Sequence, residues 1–210
     1  MSQEHLFCFG FTRWKRNYIR RFLHAPGNQL TFVWTRKNAL KQGFNHHCRI
    51  VAWGERAMPE AQRLADEFNV PIWRVEDGFI RSAGLGSDYT PPLSLVLDKR
   101  GIYYDPNQPS DLEYLLQHTE FSVNLLARAK QLRTTLLSYE LSKYNLGVAL
   151  KHADLRAQPG QRIILVPGQV EDDASIRKGC CDIATNAALL SAVRDARPHG
   201  FVVYKPHPDV

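Results

Sequence analysis

Acidic residues are missing altogether from positions 5–54, a stretch that holds nine lysines and arginines. The whole chain has 210 residues and a formal net charge of +6, so the remainder is slightly acidic. Positive charge is therefore concentrated rather than spread. Such a field attracts polyanions: nucleic acid, anionic lipid headgroups, or phosphorylated and carboxylated sugars. A solvated helix face is the plainer explanation of the same cluster. Long apolar runs are also missing. The longest extend about five to seven residues, against the ~20 that a membrane-spanning helix needs. The opening residues, Met-Ser-Gln-Glu-His, offer neither a charged n-region nor an apolar h-region, so no cleaved signal peptide is expected. Cysteine is scarce, and none of Cys8, Cys48, Cys180 and Cys181 sits in a C-x-x-C pair. The adjacent pair suits neither a metal site nor an ordinary disulfide, which leaves reduced, cytoplasmic thiols as the simplest expectation. His46-His47-Cys48 offers metal-capable side chains, but sequence neighbours point in different directions, and no metal site is expected. P-loop, G-x-S-x-G and H-E-x-x-H patterns are absent.

What is present is a regular alternation. Positions 6–11 read as a strand, and 13–23 as a helix with Trp14, Tyr18 and Phe22 at i, i+4 and i+8. Positions 30–34, 49–53 and 71–75 read as further strands, with a short helix after the first of them. A helix at 59–68 has Pro59 in its first turn. Short continuous apolar strands alternating with helices predict a parallel sheet covered by helices. Positions 93–97 and 102–104 read as two short strands joined by a turn at 98–101. Ser110 is placed to cap a helix with Glu113 at N3. Helical pattern then runs from 111 to about 150, broken near Thr119 and Asn145. After a linker-like break at 157–161 come a strand at 162–166, a polar loop, a helix at 182–196 and a strand at 201–204. The expected division is a domain at 1–157 and the start of a second α/β domain at 158–210, begun and left unfinished.

Open α/β sheets bind ligands at the carboxyl ends of their strands. Three polar loops follow predicted strands here. The first lies in the most informative stretch, 75–106, which packs two carboxylates, an Arg, a Ser and three glycines into a dozen residues. Core packing does not need that mix, whereas a ligand-facing loop does. Glu76 or Asp77 could act as a general base, and Arg81, beside Ser82, could hold a phosphate or carboxylate by its planar fork. Alternatively, Asp77 caps a turn before Gly78 and Arg81 pairs with one of the acids. Gly84 and Gly86 do not make a G-x-G-x-x-G fingerprint. The second loop, Gln169-Val-Glu-Asp-Asp173, sets three carboxylates in a row. Mutual repulsion raises a pKa unless Arg177 or Lys178 compensates. A helix N-terminus, where acids are favoured, accounts for the cluster as well. The third, Lys205-Pro-His-Pro-Asp209, displays His207 between two prolines, where Lys205 and His207 could address a phosphate, or where a surface turn could simply lie.

Four stretches together resemble the capsular polysaccharide β-Kdo transferases of the KpsC type: residues 9–16, 75–106, 164–173 and 203–210. The family pattern Q-x-x-x-D falls on Gln169 and Asp173, and its His-Pro motif on His207 and Pro208. The resemblance implies a GT-B-like pair of Rossmann-like domains with a helical connection, the second incomplete. It implies a retaining transferase that takes Kdo from CMP-Kdo to a lyso-phosphatidylglycerol already bearing Kdo, at the cytoplasmic face of the inner membrane, possible company including other capsule assembly proteins. Asp173 is then the expected nucleophile and Gln169 its orienting neighbour. Glu76, or in its place Asp77, is the expected base. His207, Lys205 and Pro208 would meet the leaving nucleotide. Arg81, Ser82, Arg13, Lys15 and Arg16 would face the acidic acceptor. No cofactor and no metal is expected, since cationic side chains can stabilise a nucleotide phosphate. Because the family's second domain continues beyond the His-Pro motif, this chain alone is expected to be weakly active or inactive. Two competing expectations are a nucleic-acid-binding module built on the basic, aromatic-rich residues 5–54, and a non-catalytic export or scaffold protein that binds the anionic lipid.

Overall fold

The structure is a computed structural model that describes residues 4–147 and 154–209. It divides into two compact units. The first takes the chain up to Tyr103 and Gln108–Leu146; the second takes Tyr104–Asn107 and the described residues from Gly147 onwards.

The first unit is built on a five-stranded sheet. Its elements in chain order are β1 (His5–Phe9), α1 (Arg13–Phe22), β2 (Gln29–Val33), α2 (Arg36–Lys41), β3 (Arg49–Trp53), α3 (Met58–Phe68), β4 (Ile72–Asp77), β5 (Leu95–Asp98), α4 (Asp111–His118) and α5 (Val123–Ser138). The strand order is β2-β1-β3-β4-β5. The first four strands are parallel, as their continuous apolar runs predict, but β5 joins β4 antiparallel, so the sheet is mixed. Side chains alternate across the pleat. Phe7, Phe9, Ile50 and Ala52 face α2 and α3, with Ala39, Ala61 and Leu64 closing that layer. Leu6, Cys8, Val51, Trp53 and Val75 face α1, whose Tyr18 and Ile19 pack on them. Both faces are dry, which is why strands β1 and β3 read as unbroken hydrophobic runs. Each fully buried large side chain stabilises this unit by about 1.5–3 kcal/mol.

The second unit holds a two-stranded parallel sheet of β6 (Ile163–Pro167) and β7 (Phe201–Lys205), with α6 (Ala174–Gly179) and α7 (Asn186–Ala196) between them in sequence.

Three sequence expectations change. Residues 102–104 form no strand. The Asp98 carboxylate accepts from the N–H groups of Arg100, Gly101 and Asp111, which turns the chain away from the β5 edge before a ladder can form. Helix ends at Ser138 rather than running on to a break near Asn145. Glu140 takes a left-handed φ of 51°, and the following backbone is committed elsewhere: Lys143 O accepts from Arg81 N and Ser82 N, and Tyr144 O from Gly84 N. Positions 148–150 of the expected helix lie outside the described residues. The helix expected from 182 starts at Asn186, because Thr185 caps it by accepting from Ala188 N. A short helix, α6, follows the acidic loop with Asp173 at its N-cap, the helix N-terminus weighed for that cluster. The Ser110 cap forms as expected, Oγ accepting from Glu113 N at 3.0 Å, and Pro59 does sit in the first turn of α3.

Candidate functional site

The first unit's strand order reverses direction between β1 and β3, since β2 lies on one side of β1 and β4 beyond β3. Ligands of open α/β sheets bind outside the carboxyl ends of the strands at such a point. Here the segments leaving β1 and β3 run close together. Gly10 has φ 83°, and a Cβ on it would stand 2.2 Å from Trp53 O. Only glycine allows that approach.

Charged and aromatic groups from three elements gather at this edge. Lys15 comes from the first turn of α1, where the helix dipole disfavours a cation. Its ammonium lies 3.9 Å from the centroid of the Trp53 ring, at the end of β3. Among the described residues it makes no hydrogen bond or ion pair. Burial lowers its pKa, against the attraction of Asp77 and Glu76. Glu76 ends β4, and its Oε1 accepts from Asp77 N at 2.9 Å. Burial raises the Glu76 pKa; the Asp77 N–H opposes that rise, the Asp77 charge adds to it, and Lys15 and Lys143 oppose it. Tyr18 O–H and Asp77 Oδ1 are buried here with no partner. Burial and the charge of Asp77 push the Tyr18 pKa up.

The polar loop after β4 is folded around Arg81. That residue is 2% exposed, so the substrate contact expected of its planar fork is not open to it. Its Nε lies 2.7 Å from Asp77 Oδ2, a charge contact whose N–H is not aimed along it. Its Nη1 donates to Ser82 Oγ and to Thr90 O, at 2.8 and 2.9 Å. Ser82 is also buried, and its hydroxyl donates to Gly84 O. A Cβ at Gly86 would meet Arg81 Nη2 at 2.8 Å, so the glycine lets the loop close over the guanidinium. Arg81 and Ser82 therefore shape the loop from within. Of the basic cluster, Arg13 is exposed, while Arg16 donates to Phe11 O and lies over Phe32.

The second unit's carboxyl edge holds the other expected residues. Asp173 is the N-cap of α6: its Oδ2 accepts from Ser175 N at 3.2 Å and from Ser175 Oγ. Gln169 is fixed through its backbone, its N–H donating to Asn186 Oδ1 and its carbonyl accepting from Asn186 Nδ2. Glu171 Oε1 accepts from Asn186 N at 2.6 Å. Gly168 lets the Tyr204 ring lie close, since a Cβ there would stand 2.5 Å from the Tyr204 hydroxyl oxygen. His207 Nδ1 accepts from Asp209 N at 3.1 Å, so neutral His207 carries its proton on Nε2. Lys205 and Pro208 are exposed beside it. Behind α6, Lys178 Nζ lies 2.6 Å from Asp105 Oδ2. Burial opposes ionisation of Asp105, but Lys178 and two hydrogen bonds from Asn107 outweigh it and hold the carboxyl down at about 2. No cluster of three or more metal-capable His, Cys, Asp or Glu side chains occurs among the described residues, nor does any helix there have the length and apolarity to cross a membrane.

Sequence reasoning missed the partners that make these positions. Trp53 as a platform for Lys15, Asn186 as the clasp of the 169–171 loop, and the Arg81-centred fold of the 81–90 loop carry no local signal. Each depends on residues brought together by topology. Tyr18 reads as one member of a helical apolar stripe, and only the fold shows its hydroxyl beside Asp77.

Residues 49–210 match the family model described as capsule polysaccharide biosynthesis protein. The capsule polysaccharide modification protein LipA of Neisseria meningitidis serogroup A is 42% identical over 206 residues, covering 98% of this chain and 29% of LipA. The lipopolysaccharide-processing protein LpsZ of Rhizobium meliloti is 38% identical, covering 98% of this chain and 47% of LpsZ. Two solved structures of Thermosulfurimonas dismutans KpsC are also similar. The β-Kdo 2,7 transferase is 37% identical with TM-score 0.73, over 98% of this chain and 62% of its own. The β-Kdo 2,4 transferase is 28% identical with TM-score 0.78, over 96% and 60%. The chain thus spans less than two thirds of each of these relatives. With the family model matching well over half its length, the chain belongs to the capsule polysaccharide biosynthesis protein family.

Proposed function

We propose that this chain is part of a retaining β-Kdo transferase that moves Kdo from CMP-Kdo to a Kdo-bearing lyso-phosphatidylglycerol acceptor. The likeness over nearly the whole chain to two β-Kdo transferases is the observation that carries the reading. A GT-B pairing of two Rossmann-like domains, divided at about residue 157, and work at the cytoplasmic face of the inner membrane belong to the same proposal.

Retention calls for two displacements. Asp173 Oδ1 attacks the anomeric C2 of Kdo as the C2–O bond to CMP breaks, its electron pair leaving on the phosphate. Ser175 engages Oδ2, so Oδ1 is the oxygen left for attack. Gln169 orients the sugar or the nucleophile. His207, through Nε2–H, and Lys205 meet the charge that develops on the departing phosphate. In the second step the acceptor hydroxyl attacks C2, Glu76 takes its proton, and the Asp173 carboxylate leaves. Glu76 suits the base role better than Asp77, whose carboxylate is tied to Arg81. A raised proton affinity is what a carboxylate base near neutral pH needs. No cofactor is required by these steps.

Trapping tests the proposal. Incubation of the protein, completed to the full length of the transferases it resembles, with CMP-Kdo and peptide mapping by mass spectrometry should place a Kdo adduct on the peptide carrying Asp173, and Asp173→Ala should abolish it. An adduct on another residue transfers the nucleophile role there, and transfer unaltered in Asp173→Ala removes Asp173 from the mechanism.

A further inference from the structure

The 81–90 loop ends in a feature that neither the core nor the proposed chemistry uses. Tyr89 has a φ of 60°, a left-handed backbone that a bulky aromatic residue rarely adopts. The conformation is held from both sides: Tyr89 N donates to Gly86 O, Thr90 N to Leu85 O, and the buried Arg81 clamps Thr90 O. The ring this effort presents is 70% exposed. It stands edge-on to Trp14, with centroids 5.5 Å apart and planes at 81°. Trp14 is fixed in turn against Tyr18. The next residue along α1 is Lys15, whose ammonium lies 5.9 Å from the Trp14 ring and makes no ion pair among the described residues. An exposed aromatic corner backed by a partly desolvated, unpaired cation has a specific complement. The C–H face of a sugar ring packs on an aromatic face, as apolar surface does on these large rigid rings. A carboxylate on that sugar would give Lys15 the direct ion pair that Asp77 and Glu76, which attract it, do not make.

We infer that Trp14, Tyr89 and Lys15 form a binding subsite for a carboxylate-bearing sugar, with Arg81 holding the loop that displays Tyr89. In the setting of the proposed function, on which this placement as an acceptor subsite rests, the ligand is the acidic sugar at the acceptor terminus. Its free hydroxyl would then lie on the side of Lys15 where Glu76 and Asp77 end β4.

Binding by the 210-residue chain itself tests this, without need of turnover. The probes are the methyl ketoside of Kdo, its carboxyl-reduced counterpart and methyl glucuronide. The readouts are the Trp14 indole N–H resonance and the apparent Kd. Tyr89→Asn removes the ring while keeping a residue that accepts a left-handed backbone, and Tyr89→Phe keeps the ring. The Kdo ketoside should shift the Trp14 resonance. Tyr89→Asn should raise its Kd about tenfold or more, and Tyr89→Phe should restore binding. Lys15→Met should weaken the acidic sugar and leave the carboxyl-reduced one as it was. If methyl glucuronide shows these dependences and the Kdo ketoside does not, the subsite stands and the Kdo reading falls. If the Kdo ketoside binds with an affinity indifferent to Tyr89 and Lys15, the Kdo reading stands and the subsite falls. Failure of both acidic sugars to bind the folded chain overturns the subsite.

Discussion

Replacing Arg81 with methionine should damage the first unit more than any surface change of similar size. The guanidinium side chain is 2% exposed and the Asp77 carboxylate beside it 22% exposed. Removing one partner of a buried pair leaves the other charge uncompensated, at about 3–5 kcal/mol. Water reaches Asp77 in part, which favours the lower end. The Thr90 carbonyl and the Ser82 hydroxyl also lose their donor; unmade buried hydrogen bonds cost about 1–3 kcal/mol each, and the terms overlap because they share one side chain. A loss of roughly 3 kcal/mol is therefore expected, which for a unit of this size lowers its Tm by roughly 10 °C. The assay is convenient, because Trp14, Trp34, Trp53 and Trp73 are the only tryptophans and all lie in the first unit. Their fluorescence during urea unfolding reports that unit alone. Asp77→Asn on the Arg81→Met background should recover part of the loss, since it removes the stranded charge. An Arg81→Met protein within about 0.5 kcal/mol of wild type, the scatter of surface substitutions, would refute the account of Arg81 as an internal clamp.

Three further outcomes follow from the same geometry. Glu76 has a folded pKa above its unfolded value, so the folded state binds the extra proton and its contribution to stability is lost as pH rises above the ordinary carboxylate range; Glu76→Gln should therefore flatten the fall in tryptophan-monitored stability from pH 4.5 to 8 relative to wild type. Asp105 has the opposite sign: its stabilisation is full above about pH 4 and lost as pH falls towards 2. Asp105→Asn should cost at most about 2 kcal/mol at neutral pH and remove that acid dependence, read by hydrogen exchange of the α6 peptide. Gly10→Ala should cost several kcal/mol, roughly 3 or more, because the new methyl meets a backbone carbonyl in a left-handed conformation; a Tm unchanged within 2 °C, less than about 1 kcal/mol, would mean that β1 and β3 can part at this point.

The order of elements in the first unit follows from local chemistry that the sequence carries openly. Continuous apolar runs at β1 and β3 announce strands buried on both faces, and Ser110 with Glu113 marks a helix start whatever surrounds it. The 75–106 stretch was equally legible as a loop with too many polar groups for a core. Tertiary structure decided which way those groups point. Arg81 reads in sequence either as a ligand fork or as the partner of one of the two acids, and its long side chain turns inward because Asp77 and the Thr90 carbonyl lie within reach once the loop closes. The stretch after α5 carries a helical pattern, yet its carbonyls serve the 81–84 loop instead, a choice set by residues some sixty positions away. The acid-free start of the chain told of a concentrated positive field from composition alone. That one of its members, Lys15, sits unpaired over Trp53 beside Glu76 and next to the Trp14–Tyr89 corner is a fact of packing, because it joins α1, β3, β4 and a distant loop at one edge of the sheet.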